Sequence, residues 1–296
     1  IYIWWMTADL FNFFVLFTGL FFFFYPFRRT YLFYLSPVFF SFSVFSKPFN
    51  AIAIAVVYLI LLYRKEWKRF IIISLLAILV VGSLAAYYMV QTGDYALSMF
   101  MGGDRKAFHG KYPFEFPEDD EGNLKRGVKV KPYSFEDGFT MSFDSYGDRF
   151  YIAPKVMLLN LFYFIFGRFT GMFIYFFPAV LIFILFWFQK REVSDYIILA
   201  AIAVGILTYI MAAPDNYFGG SGSIGNRYFF CLFPLFFFMG FRKRILRFNL
   251  VPFVIAAIFL SGTYADANYR SAYARYTGIS FPVNLFPPEK TQYDKL

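Results

Sequence analysis

One cysteine and one histidine stand in a chain of 296 residues. Cys231 lies inside an apolar run, so neither an intrachain disulfide nor a thiolate metal cage can be built. His109 has no second histidine to join it, which excludes His-pair zinc chemistry, and as a single histidine in a polar loop it argues against a Ser–His relay. Charge is sparse as well, with Asp, Glu, Lys and Arg together at 16%. What fills the chain instead is apolar: 59% hydrophobic residues, 25% aromatics and 47 phenylalanines. Globular domains average about 45–50% apolar residues, so a soluble core has no use for the excess. Long apolar runs bounded by Lys/Arg clusters read as membrane helices, each needing about 20 residues to cross the hydrocarbon. The phenylalanines stand where leucine usually would, which reads as compositional bias rather than a cofactor pocket.

The net charge of +9 comes from 28 basic against 19 acidic residues. Its placement in short clusters between apolar runs is the positive-inside pattern, so the partner it implies is the lipid bilayer and not nucleic acid. Apolar runs are read at 1–25, 31–45, 49–63, 70–90, 169–188, 194–213, 227–241 and 248–263. The basic clusters at Arg28/Arg29, Arg64–Arg69, Lys190/Arg191 and Arg242–Arg247 are all expected on the cytoplasmic side. Threading the chain through them predicts an all-α polytopic membrane protein of about eight transmembrane helices with an extracytoplasmic loop domain. Residues 1–91 hold the first four helices, and 92–168 form an extracytoplasmic loop with an interfacial helix over 154–168. Residues 169–263 hold the last four helices, and 264–296 an extracytoplasmic tail. The runs 31–45 and 49–63 make a hairpin with Lys47 and Pro48 at its outer tip. The chain starts on Ile within an apolar segment and ends in a polar tail, and reads as an internal fragment.

Polar side chains that could do chemistry gather on the predicted outer face. Asp9, in "WWMTADLFNFF", sits within a span, where a centred carboxylate costs about 2.5–3.5 kcal/mol, and an ionisable group there is a functional candidate. Trp4 and Trp5 allow the alternative that Asp9 touches interfacial water. In "GGSGSIGNRYFF", glycines let backbone N–H groups converge on an anion, and Arg227 can grip a phosphate through paired hydrogen bonds. Gly219, Gly220, Gly222, Asn226, Arg227 and the hairpin-tip Lys47 are the candidate lipid-phosphate or substrate contacts. The alternative for Arg227 is snorkelling to headgroups, and no Gly-Lys-Ser/Thr follows to make a phosphate-binding P-loop. His109, Asp144 and Asp148, in the loop 92–153, are secondary candidates. No metal site is read: "EDDE" (118–121) lacks the alternate-position ligands of a calcium loop. No cofactor is identified, and no motif calls for a divalent cation.

The segments "TADLFNFF", "FSKPFNAIAIAVVYLILLYRKEWKR" and "YFGGSGSIGNRYFFCLFP" together resemble parts of the GT-C glycosyltransferase superfamily. The last is similar to the "GG…GxRY…P" turn of its mannosyltransferase-like members, and "NLFYFIFGRFTGMFIYFFP" to uncharacterised bacterial membrane proteins of that type. The resemblance implies sugar transfer from a polyprenyl-phosphate-linked donor, in the bacterial inner membrane, with the active face extracytoplasmic. It also implies a catalytic acid in the first outer loop of the family's fold, expected in an N-terminal region preceding Ile1, with Asp9 matching an acidic residue carried at a later span. Two readings of other classes stay open: a transporter or lipid flippase, and a non-enzymatic membrane scaffold.

Overall fold

The computed structural model describes residues 8–25, 30–92, 157–188, 190–212, 225–239, 254, 258 and 283–289. Among these residues every regular element is helical. The elements are α1 (Ala8–Phe24), α2 (Ser36–Ser46), α3 (Ala51–Tyr63), α4 (Trp67–Thr92), α5 (Met157–Phe166), α6 (Met172–Tyr175), α7 (Phe177–Trp187), α8 (Val193–Ala212) and α9 (Pro234–Phe238). Short 3-10 turns lie at Thr30–Leu35, Pro48–Asn50, Phe230–Leu232 and Val283–Leu285.

Two helices are long and apolar enough to cross a membrane, over Trp67–Val90 and Val193–Met211. They coincide with the apolar runs read at 70–90 and 194–213. Most of α4 is uncovered, with Ile78 69% and Val90 80% exposed and Ile71, Leu75, Leu79 and Tyr87 exposed beside them. An apolar face that long is unfavourable in water and suits lipid. Its serine hydroxyls are satisfied within the helix: Ser74 Oγ donates to the Phe70 carbonyl at 2.9 Å and Ser83 Oγ to that of Leu79 at 2.8 Å.

Local chemistry sets the helix ends. α1 stops before Pro26, whose ring disfavours helix in the preceding residue. Pro37, at the first turn of α2, needs no backbone donor there. Lys47 is extended (φ −139°, ψ 105°), as expected of a residue preceding proline. α3 ends in a Schellman turn: Glu66 N–H donates to Leu61 O and Lys65 N–H to Leu62 O, each at 3.0 Å. Lys65 occupies the left-handed position of that turn, at φ 57°. Because an L side chain costs about 1–2 kcal/mol there, Lys65→Gly is expected to stabilise the fold by about 0.5–1 kcal/mol after its extra unfolded-chain entropy is subtracted. A thermal-unfolding midpoint in detergent that does not rise would contradict this. α8 opens with a reciprocal cap, Asp195 Oδ2 accepting from Glu192 N–H at 2.8 Å and Asp195 N–H donating to Glu192 O at 3.0 Å.

Two expected spans take another form. The run 169–188 is broken at Phe176 (φ −136°, ψ 45°) into α6 and α7. Pro178 explains the break, since it has no N–H for the carbonyl four residues back and its ring crowds that turn. The run 227–241 is a turn, a 3-10 segment and then only α9, with Pro234 at the helix start. All of Phe229–Phe236 is buried, so this segment is packed inside the bundle. The other helices are shorter apolar ones, and the expected total of about eight crossings is not reproduced by helices of spanning length among the described residues.

Phenylalanine builds the core. Phe176 stacks on Phe233 at 3.6 Å between ring centroids, Phe13 on Phe230 at 4.9 Å, and Phe24 on Phe238 at 5.5 Å. These pairs order the bundle along α1. At one end Arg69 lies over Phe33 (5.1 Å), which packs on Phe23, and Arg191 lies over Trp187 (5.3 Å) at the end of α7. At the other end stand Asp9, Lys47 and Tyr228. Asp9 and Phe23 are about 21 Å apart along the helix at 1.5 Å per residue.

Candidate functional site

Asp9 is in the first turn of α1, where a carboxylate meets the positive end of the helix dipole. The hairpin of α2 and α3 brings Lys47 onto it, and Lys47 Nζ forms an ion pair with Asp9 Oδ1. Arg227 Nε lies 3.5 Å from the second carboxylate oxygen, Oδ2. Three residues separated by up to 218 positions in the chain therefore share one point, and the carboxylate itself is buried. With one negative and two positive groups among the described residues, the point carries an excess of positive charge. Tyr228 lies beneath both cations, 5.9 Å from Lys47 Nζ and 5.8 Å from Arg227 Cζ. Behind it Tyr209 stacks on Tyr228 at 6.3 Å, Phe49 packs on Tyr209 at 4.1 Å, and the Tyr209 hydroxyl is 3.9 Å from Cys231 Sγ.

A second layer of polar groups fixes the first. Asn12 Nδ2 donates to Ser46 Oγ at 2.9 Å, while Asn12 Oδ1 accepts from Asn50 Nδ2 at 3.0 Å. Asn50 Nδ2 also reaches Ser43 Oγ at 2.8 Å, and Ser43 Oγ approaches Asn12 Oδ1 at 3.5 Å. Asn12, Ser43 and Asn50 are wholly buried. Hydrogen bonds between helices in an apolar setting hold their relative positions, and here they tie together α1, α2 and the hairpin tip that carries Lys47. These residues escaped the sequence reading. A signal for them exists: Asn12 is three residues after Asp9, Ser46 three after Ser43, and Lys47 four after Ser43, spacings that share a helix face.

Arg227 is presented by a turn of its own. Gly225 has φ 76°, a left-handed conformation that glycine adopts without penalty. Asn226 is buried and its Oδ1 accepts from Phe229 N–H at 2.9 Å, capping the turn. The amide nitrogen of Asn226 and Nε of Arg227 have no hydrogen-bond acceptor among the described residues. A buried donor without an acceptor costs free energy, and Arg227 Nε has its 3.5 Å ion-pair contact with Asp9 Oδ2 in place of a hydrogen bond. Both nitrogens stand next to the positive point described above.

Of the candidates read from the sequence, Asp9, Lys47 and Arg227 meet, with Asn226 adjoining. Gly219, Gly220, Gly222, His109, Asp144 and Asp148 lie outside the described residues, as do Trp4, Trp5 and the loop 92–153 beyond its first residue. Among the described residues no group of three or more His, Cys, Asp or Glu side chains is placed to hold a metal. Cys231 is a free, buried thiol. Comparison of the chain with protein-family models, with curated proteins and with solved structures finds no match in any of the three.

Proposed function

We propose that the protein is a membrane glycosyltransferase that takes its sugar from a polyprenyl-phosphate-linked donor at the extracytoplasmic interface. The observation that carries this reading is the meeting of Lys47 and Arg227 about Asp9, at the bundle end opposite Arg69 and Arg191. Basic clusters favour the cytoplasmic side, which turns the meeting point outward, in what we read as a polytopic bundle of the bacterial inner membrane.

The chemistry follows from the charges. A departing lipid phosphate develops negative charge, and fixed cations near it lower the barrier. Lys47 and Arg227 supply them, and the Asn226 amide nitrogen, without an acceptor among the described residues, is a donor of the kind a phosphate oxygen accepts from. Asp9 is engaged with both cations, so its part is to orient them before substrate arrives. Taking the proton from the acceptor hydroxyl is left to another carboxylate, such as the first-outer-loop acid that the resemblance implies.

Arg227→Ala is expected to weaken binding of a polyprenyl phosphate by about tenfold to a hundredfold, the worth of one or two charge-assisted hydrogen bonds. Arg191→Ala, at the other end of the bundle, should leave the affinity as it was. Native mass spectrometry of the full chain in lipid nanodiscs reads both, alongside transfer of labelled sugar from the same donor. Equal affinities for wild type and Arg227→Ala, or equal losses for the two variants, would end the reading.

A further inference from the structure

Glu289 belongs to a polar tail yet is wholly buried. Its Oε1 accepts from Phe169 N–H at 2.9 Å, Thr170 N–H at 2.7 Å and Thr170 Oγ1 at 2.8 Å. The segment before it is held by the same turn: Arg168 N–H donates to Pro287 O at 3.0 Å, Nε to Phe286 O at 2.8 Å and Nη2 to Asn284 O at 2.9 Å. Val283 and Phe286 pack against Ile174 and Tyr175. A single turn, "GRFTG" (167–171), thus grips a stretch of tail more than a hundred residues away. Gly167 leaves the room, since a Cβ there would fall 2.2 Å from Glu289 Oε1.

The same turn reaches the candidate site. Phe169 offers its N–H to Glu289 and its carbonyl to Gly225 N–H at 2.7 Å. Gly225 leads directly into Asn226 and Arg227. We propose that Glu289 is a positioning residue: by fixing the 169–170 turn it sets Gly225, and through Gly225 the Asn226–Arg227 turn, against Asp9. Its bearing on ligand binding rests on the reading of Arg227 as an anion-holding group, whereas the coupling itself does not.

The carboxylate makes this link sensitive to acidity. Burial pushes Glu289 from 4.5 up to about 7, against the hydrogen bonds that favour its charged form. The other carboxylate oxygen has no hydrogen-bond partner among the described residues. The charged group of the turn, Arg168, has its guanidinium spent on tail carbonyls. Tyr163 of α5 contributes a carbonyl, accepting from Thr170 Oγ1 at 3.4 Å, and Tyr175 of α6 directs its hydroxyl to Arg168 O at 2.9 Å. A group with a raised value when docked is docked most firmly when protonated. Docking is therefore strongest below about pH 4.5, weakens as pH rises, and levels off above about pH 7.

Amide hydrogen exchange of the full chain in nanodiscs, corrected for intrinsic rates, tests the link. Glu289→Ala should lower protection by about tenfold or more in peptides covering both 166–172 and 225–229. A loss confined to 166–172 would overturn the proposal. Wild-type protection at both places should fall about twentyfold between pH 5.5 and 7.5, and Glu289→Gln, which keeps the accepting oxygen, should restore protection and remove that dependence. An unchanged pH profile in Glu289→Gln, or a pH-independent wild type, would overturn it too, and this arm stands even if Glu289→Ala does not fold. Polyprenyl phosphate affinity measured on the same samples separates the two ideas. A wild type that binds none dismisses the phosphate reading, while the exchange data decide the coupling by themselves.

Discussion

Replacing Lys47 by methionine is expected to destabilise the fold by about 3 kcal/mol, the lower end of the cost of stripping one partner from a buried ion pair. Methionine keeps the stem and removes the charge, so packing changes little. Asp9 then keeps the contact with Arg227, 3.5 Å from Oδ2, as its remaining ion pair among the described residues. That residual contact is why the low end of the range applies. Neutralising both partners at once, as Asp9→Asn with Lys47→Met, should recover most of the loss, because an amide costs far less to bury than a lone carboxylate. Thermal unfolding of the four proteins of this cycle reads the coupling directly. If Lys47→Met unfolds at the wild-type midpoint, the pair does not organise the site.

The second large effect concerns backbone in close approach. A Cβ at Gly171 would lie 2.2 Å from Gly167 O and 2.7 Å from Gly167 N. Both obstacles are main chain, and cannot swing aside as a side-chain tip would. Gly171→Ala should therefore cost at least the about 1–3 kcal/mol of ordinary overpacking, opening the turn that holds Glu289 and Gly225. Gly82→Ala is its counterpart. Gly82 lies inside α4, and a Cβ there would meet nothing within 4 Å, so alanine should stabilise by about 0.5–1 kcal/mol. Unfolding midpoints measured in one detergent should move in opposite directions. A neutral Gly171→Ala would mean that the turn is looser than its contacts imply.

Much of the helical plan was legible in the residues. The runs at 70–90 and 194–213 became α4 and α8, because a long apolar stretch has no better way to satisfy its backbone than a helix. The hairpin tip at Lys47 and Pro48 followed from threading the apolar runs between the basic clusters, and proline imposes the extended backbone found at Lys47. The breaks at Phe176 and at Phe230–Leu232 were harder to read. Hydropathy counts apolar residues and is blind to where a proline interrupts the hydrogen-bond ladder. At the site, Asp9, Lys47 and Arg227 stood out as charges against an apolar background. Asn12, Ser43 and Asn50 did not, since their helix-face spacing to Asp9 and Lys47 acquires meaning only once the helices that carry them pack together.

The order of residues along the chain by itself determined that it makes apolar helices with cations clustered between them, because transfer of apolar surface depends on how much each run carries and not on where it folds. Only the tertiary structure decided which polar groups meet. Lys47 reaches Asp9 through a reversal of chain direction, Arg227 through a left-handed glycine, and Glu289 reaches Thr170 across 119 residues. Hydrogen bonds and ion pairs act over a few ångströms, so their partners are set by packing in space, which the spacing of residues along the chain does not encode.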